Sequence, residues 1–145
     1  MNNLILHNVQ KGRQIAVFLD DVPGTLCEVT TLLGRQGVNI YALALAEGIG
    51  HGYVRMMVDR PDDAMRILRE ADQLVMEREV ILLELVNVTG ALGALTRVLA
   101  DAKINLEYAY CAGGPSVTQG LVVIRVDQTE KALALLRGRE MQPSS

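Results

Sequence analysis

The chain carries one short motif twice. Asp21-Val22-Pro23-Gly24-Thr25-Leu26 is answered by Asn87-Val88-Thr89-Gly90-Ala91-Leu92, and in each copy an Asn follows its Gly fifteen positions on, Asn39 after Gly24 and Asn105 after Gly90. A repeat longer than about 50 residues and present only twice is not a solenoid; it points to two copies of one small domain, with a pseudo-twofold axis as the natural relation between them. Whatever site the motif builds should therefore occur twice.

Size and composition tighten that expectation. Each copy spans roughly 65 residues, a length at which folding alone buries only about 60% of the chain's surface, so the two halves are expected to share an interface. Apolar residues make up 50% of the 145, but only four Tyr and one Phe are aromatic, so the core has to be built from Leu, Val, Ile, Ala and Met. Net charge is −3 and the Lys and Arg residues are scattered singly, without the basic stripe a nucleic-acid surface needs. Apolar runs such as Ile40 to Ala46 fall far short of the ~20 residues that span a bilayer, and Met1-Asn2-Asn3 leads into no export signal, so a soluble cytoplasmic protein is expected. Cys27 and Cys111 have no Cys or His neighbours at metal spacing and read as reduced, buried small hydrophobes.

The element pattern repeats with the motif. Gln14 to Leu19 reads as a strand entering the turn at Asp20-Asp21-Val22-Pro23-Gly24. Leu26, Val29, Leu32 and Leu33 follow at helical spacing, and Gly34 and Gly37 supply the stop. Val38 to Ala46 and Gly52 to Val58 predict a hairpin, Asp62 and Asp63 open a second helix, and Leu74 to Glu79 a fourth strand. The second copy restarts with a strand at Val80 to Val86, a helix after Gly90, strands at Ile104 to Ala112 and Gly120 to Val126, and a helix capped by Thr129. Each copy is thus strand, helix, strand, strand, helix, strand, an α+β, ferredoxin-like βαββαβ unit with its helices on one face of an antiparallel sheet. The expected organisation is an N-terminal segment 1–12, modules at 13–79 and 80–139 packed side by side, and a tail at 140–145. The tail is too polar for a last strand, and Leu4-Ile5-Leu6-His7-Asn8-Val9 is expected to pair with the second module's sheet edge in its place.

An apolar strand, Asn or Asp, one residue, Pro, Gly, a small residue and Leu, then a short helix and Gly-Val-Asn-Ile resembles the ACT domain, a small-molecule regulatory module of amino-acid metabolism. The first copy matches closely, through Asp21 to Leu26 and Gly37-Val38-Asn39-Ile40; the second has Thr89 for the Pro and Ala102-Lys103-Ile104-Asn105-Leu106 for the later element. In side-by-side ACT pairs the turn of one module faces the second strand of the other. The resemblance therefore implies two effector sites, one from Asp21, Val22, Pro23, Gly24, Thr25 and Leu26 with Asn105 and Leu106, the other from Asn87, Val88, Thr89, Gly90, Ala91 and Leu92 with Asn39 and Ile40.

Physical chemistry is consistent with that use. A Gly between strand and helix lets a bound group approach the backbone, and the N–H groups of the first helical turn suit a carboxylate, leaving an ammonium to Asp21, Asn side chains or strand carbonyls. Asp21 adds a charge that Asn87 lacks, so the two sites are expected to differ. The residues alone leave open that the glycines serve only the turns, with Asp21 and Asn87 as helix caps and Asn39 and Asn105 as helix ends. Glycines at alternate positions in Gly48-Ile49-Gly50-His51-Gly52, and the loop Gly113-Gly114-Pro115-Ser116, open no helix in phosphate-binding fashion. His7 and His51 stand alone, and Tyr108 and Tyr110 alternate on one strand face as packing, or as pocket walls.

The implied function is a non-catalytic regulatory protein that binds a free amino acid at the interface of two ACT modules, with a homodimer as the expected assembly. The alternative is an interaction module or regulatory subunit of a separate amino-acid biosynthetic enzyme, similar to the small subunit of acetolactate synthase. No nucleophile with a base, no metal cluster and no paired carboxylates argue for an enzyme, and neither cofactor nor metal is expected.

Overall fold

A computed structural model describes residues 4–48 and 51–140. The chain divides into two compact units, a first at Arg13–Arg78 and a second made of the stretch up to Gly12 with that from Glu79 onward. Of the sequence expectations, the tip of the first hairpin at 49–50 and the tail beyond Glu140 lie outside the described residues.

Ten elements follow in chain order: β1 Leu6–Asp20, α1 Thr25–Arg35, β2 Ile40–Glu47, β3 His51–Val58, α2 Pro61–Glu70, β4 Val75–Val86, α3 Ala91–Asp101, β5 Leu106–Ala112, β6 Gln119–Val126 and α4 Thr129–Arg137. The antiparallel ferredoxin-like fold is borne out, with two differences in where strands begin and end. The strands expected at Leu74 to Glu79 and Val80 to Val86 are one continuous β4, and the strand expected at Gln14 begins at Leu6. β1 and β4 each contribute a stretch to both units.

In the first unit the strand order is β2-β3-β1-β4. Register sets Ile15 opposite Met56, Val17 opposite Val54 and Leu19 opposite Gly52. Because side chains alternate along a strand, these residues share one face, and it is the face on which Val29 and Leu33 of α1 and Ala64, Ile67 and Leu68 of α2 pack. In the second unit the order is β1-β4-β6-β5, with Ile81 opposite Ile124 and Leu83 opposite Val122. Leu95 and Leu99 of α3 and Ala132, Leu133 and Leu136 of α4 cover that face, joined by Leu4, Leu6 and Val9 of the N-terminal stretch. The fourth strand of this sheet is the N-terminal half of β1. Val86 N–H donates to Ile5 C=O at 3.0 Å, Val9 N–H to Glu140 Oε1 at 3.0 Å, and Lys11 pairs with Glu130.

Three helices end alike, each with a left-handed residue just past the cap: Gly37 (φ 76°), Asp72 (φ 59°) and Lys103 (φ 61°). Each makes the paired Schellman bonds, for example Lys103 N–H to Ala100 C=O and Ile104 N–H to Leu99 C=O, both 3.0 Å. Asn39 and Asn105, two residues after Gly37 and Lys103, are not the left-handed residues. At the start of α4 the N-cap position falls to Gln128, without a side-chain cap, and Thr129 is the first helical residue.

Candidate functional site

The two Gly turns are near copies in backbone. Gly24 (φ 95°, ψ −10°) is the N-cap of α1 and Gly90 (φ 88°, ψ −7°) the N-cap of α3, both left-handed and neither with a side-chain cap. An uncapped helix start leaves first-turn N–H groups facing outward under the positive end of the helix dipole. The first intrahelical bonds begin with Glu28 N–H to Gly24 C=O and Ala94 N–H to Gly90 C=O, both 2.9 Å, while in α3 the Ala91 N–H donates back to Val88 C=O at 3.2 Å. A Cβ on Gly24 would meet nothing within 4 Å, so its left-handed angle alone calls for Gly there.

Each turn opens onto a groove closed on its other side by the hairpin of the same unit. In the first unit Asp21, Val22, Gly24, Thr25 and Leu26 line it together with Asp20, Leu45, Glu47 and His51. In the second unit Asn87, Val88, Gly90, Ala91 and Leu92 line a groove of about 280 Å³ together with Cys111, Gly113, Val117 and Val122. Pro23 and Thr89 do not line the grooves. His51 reaches the first groove because β1 and β3 pair it directly with Asp20, a long-range register that residue spacing does not reveal. Tyr108 and Tyr110 do not line the second.

The Asn residues of the motif sit elsewhere in their own units. Asn39 N–H donates to Asp59 Oδ1 at 2.9 Å and Asn39 C=O accepts from Asp59 N–H at 3.1 Å; Asn105 and Asp127 repeat both bonds at the same distances. This clasp joins the start of the second strand to the end of the third, the opposite end of the sheet from the Gly turn. Ile40 and Leu106 pack against the cores of their units.

Asp21 and Asn87 also part company. Asn87 does not cap the helix: its Nδ2 donates to Val117 C=O at 2.9 Å and its backbone N–H to Thr118 C=O at 2.9 Å, tying the turn to the hairpin loop. Asp21 has no donor with which to make the equivalent side-chain bond. In its turn Thr25 Oγ1 donates instead to Asp20 C=O at 3.0 Å.

The cysteines contradict the sequence expectation, since both are exposed, and each lines one groove. Partial burial of its thiol pushes the Cys111 pKa up, so it stays protonated at neutral pH and is a poor nucleophile. Among the described residues no cluster of His, Cys, Asp and Glu is arranged to hold a metal, and no helix is long and apolar enough to cross a membrane.

Each of the two ferredoxin-like units opens a groove at an uncapped glycine turn. The chain belongs to the family described as the ACT domain pair, which it matches over residues 11–142. A protein from Bacteroides thetaiotaomicron, 29% identical, superposes with a TM-score of 0.84 over 92% of this chain and 91% of its own. The regulatory subunit of aspartate kinase from Thermus thermophilus, crystallised ligand-free, is 16% identical with a TM-score of 0.68, over 92% of this chain and 97% of that one. Aspartate kinase from Synechocystis is 17% identical with a TM-score of 0.64, covering 100% of this chain but 29% of the enzyme, so the same fold also occurs as part of a much longer chain. No curated protein matches the chain.

Proposed function

We propose that this protein is a non-catalytic regulatory protein whose two Gly turns each bind a free amino acid. The observation that carries the reading is the repetition of one left-handed, uncapped glycine turn, at φ 95° and 88°, over a groove in each unit. A left-handed turn with open space beside it costs conformational freedom, and its recurrence is explained by a ligand carboxylate seated on the first-turn N–H groups. Such an anion at a helix N-terminus is stabilised by about 0.3–1 kcal/mol, up to ~2 when partly buried. The ammonium is met by Asp21 in the first turn and by backbone carbonyls in the second. In this proposal Asn105-Leu106 and Asn39-Ile40 face the turns of a second copy of the chain, and occupancy shifts an assembly equilibrium of which a homodimer is one state.

A second reading, that the protein regulates a separate enzyme subunit, is favoured by one finding: the likeness to the Thermus thermophilus regulatory subunit runs over nearly the full length of both chains. Calorimetric titration of the full chain with the common amino acids tests the first reading. Saturable heat with at least one of them, accompanied by thermal stabilisation, is expected; no heat and no stabilisation with any of them would overturn it. Co-purification with an enzyme whose activity changes on adding an amino acid would promote the second reading to the leading one.

A further inference from the structure

We propose that the groove of the second unit selects an amino acid with a neutral aliphatic side chain, an inference that rests on the reading that its Gly90 turn holds an amino acid. None of the residues lining this groove carries a charge, whereas its counterpart in the first unit is lined by Asp20, Asp21, Glu47 and His51. The grooves share a turn and differ in what they ask of a side chain.

Exposed apolar surface converges there. Val88 (52% exposed), Leu92 (52%) and Val117 (39%) are three of the four large hydrophobic side chains exposed on the described part of this unit, and all three line the groove. Half-exposed apolar side chains that line one concavity mark a binding surface. At about 280 Å³ the groove lies just below the ~300–1,000 Å³ typical of drug-sized ligands, room enough for a free amino acid.

The wall is held in place. The hairpin loop spans six residues, 113–118. Its Val117 is fixed from both sides: Asn87 Nδ2 donates to the Val117 carbonyl, and Val117 N–H donates to Gly114 C=O at 3.2 Å. Val117 also lies over Gly113, where a Cβ would approach its Cγ2 to 3.1 Å. An anchored apolar wall discriminates by fit, and each methylene missing from the ligand weakens binding by about tenfold or more. A lysine or glutamate side chain would instead bring a charge with no partner among the lining residues, which is costlier still.

Titration calorimetry on the full chain tests this with leucine, valine, alanine, lysine and glutamate, using wild type, L92D, L92A and R97Q, the last an exposed residue of α3 that lines neither groove. Leucine or valine is expected to bind at least about tenfold more tightly than alanine and than either charged amino acid. L92D and L92A should weaken the aliphatic ligand, L92D by about tenfold or more, while R97Q leaves that event unchanged; circular dichroism confirms that each variant is folded. Aliphatic binding insensitive to Leu92, or lysine or glutamate binding that equals leucine and depends on Leu92, overturns the selectivity while leaving the regulatory reading intact. No heat with any common amino acid overturns both.

Discussion

At Gly24 and Gly90 the chain enters a conformation that costs an L-residue about 1–2 kcal/mol. Because a Cβ at Gly24 meets nothing, that backbone term is the whole cost. Gly24→Ala should therefore lose about 1 kcal/mol in urea unfolding, with no added penalty from a clash. Lys103 offers the converse. It holds the left-handed position past α3 that Gly37 holds past α1, so Lys103→Gly should gain about 1 kcal/mol. Both turn glycines were legible in the sequence, because a Gly between an apolar strand and an amphipathic helix has few other uses. The Asp20–His51 neighbourhood was not, because it depends on the register between β1 and β3, more than thirty residues apart. The cysteines were misread for a related reason: hydrophobicity favours burial, but at Cys27 and Cys111 strand and helix geometry turn them to the groove.

Helices and hairpins followed their apolar periodicity closely, whereas the long strands did not. Gln10-Lys11-Gly12-Arg13 in β1 and Glu77-Arg78-Glu79 in β4 look like breaks, yet the strands continue through them. Polar side chains there find ionic partners within their units, Lys11 with Glu130 and Arg13 with Asp62 and Glu77. A strand needs backbone partners more than an apolar sequence. Leu6, fully buried in the core of the second unit, makes the N-terminal half of β1 a structural element of that unit, and Leu6→Ala should cost about 2–5 kcal/mol by chemical denaturation. Arg13 has a pH signature. Its hydrogen bond, then its charge, holds the Asp62 carboxyl below the ordinary carboxylate value. A depressed folded pKa means the contribution is complete above the ordinary value near 4 and is lost as pH falls through the lower folded value. Wild type should therefore lead R13Q in thermal stability above about pH 4, the lead closing in stronger acid and shrinking with salt because the pair is exposed.

Taken whole, the chain is one α+β unit built twice, with each turn aimed at its own groove and each groove given different walls. Two sites change what binding can do. A ligand at 100 times its dissociation constant stabilises the bound form by about 2.7 kcal/mol per site, so two occupied sites supply about 5.4, close to the ~5.5 that converts a 1:99 population into 99:1. The walls differ, Asp20, Asp21 and Glu47 against Val88, Leu92 and Val117; under the proposed function the two sites would then prefer different ligands, and full switching would require both to be filled. The most direct measurement is a crystal structure of the full chain grown in a mixture of the common amino acids at saturating concentration. Density for an amino acid with its carboxylate within hydrogen-bonding distance of the first-turn N–H groups of α1 or α3 is the predicted result; empty turns, or an amino acid bound away from both, would contradict it.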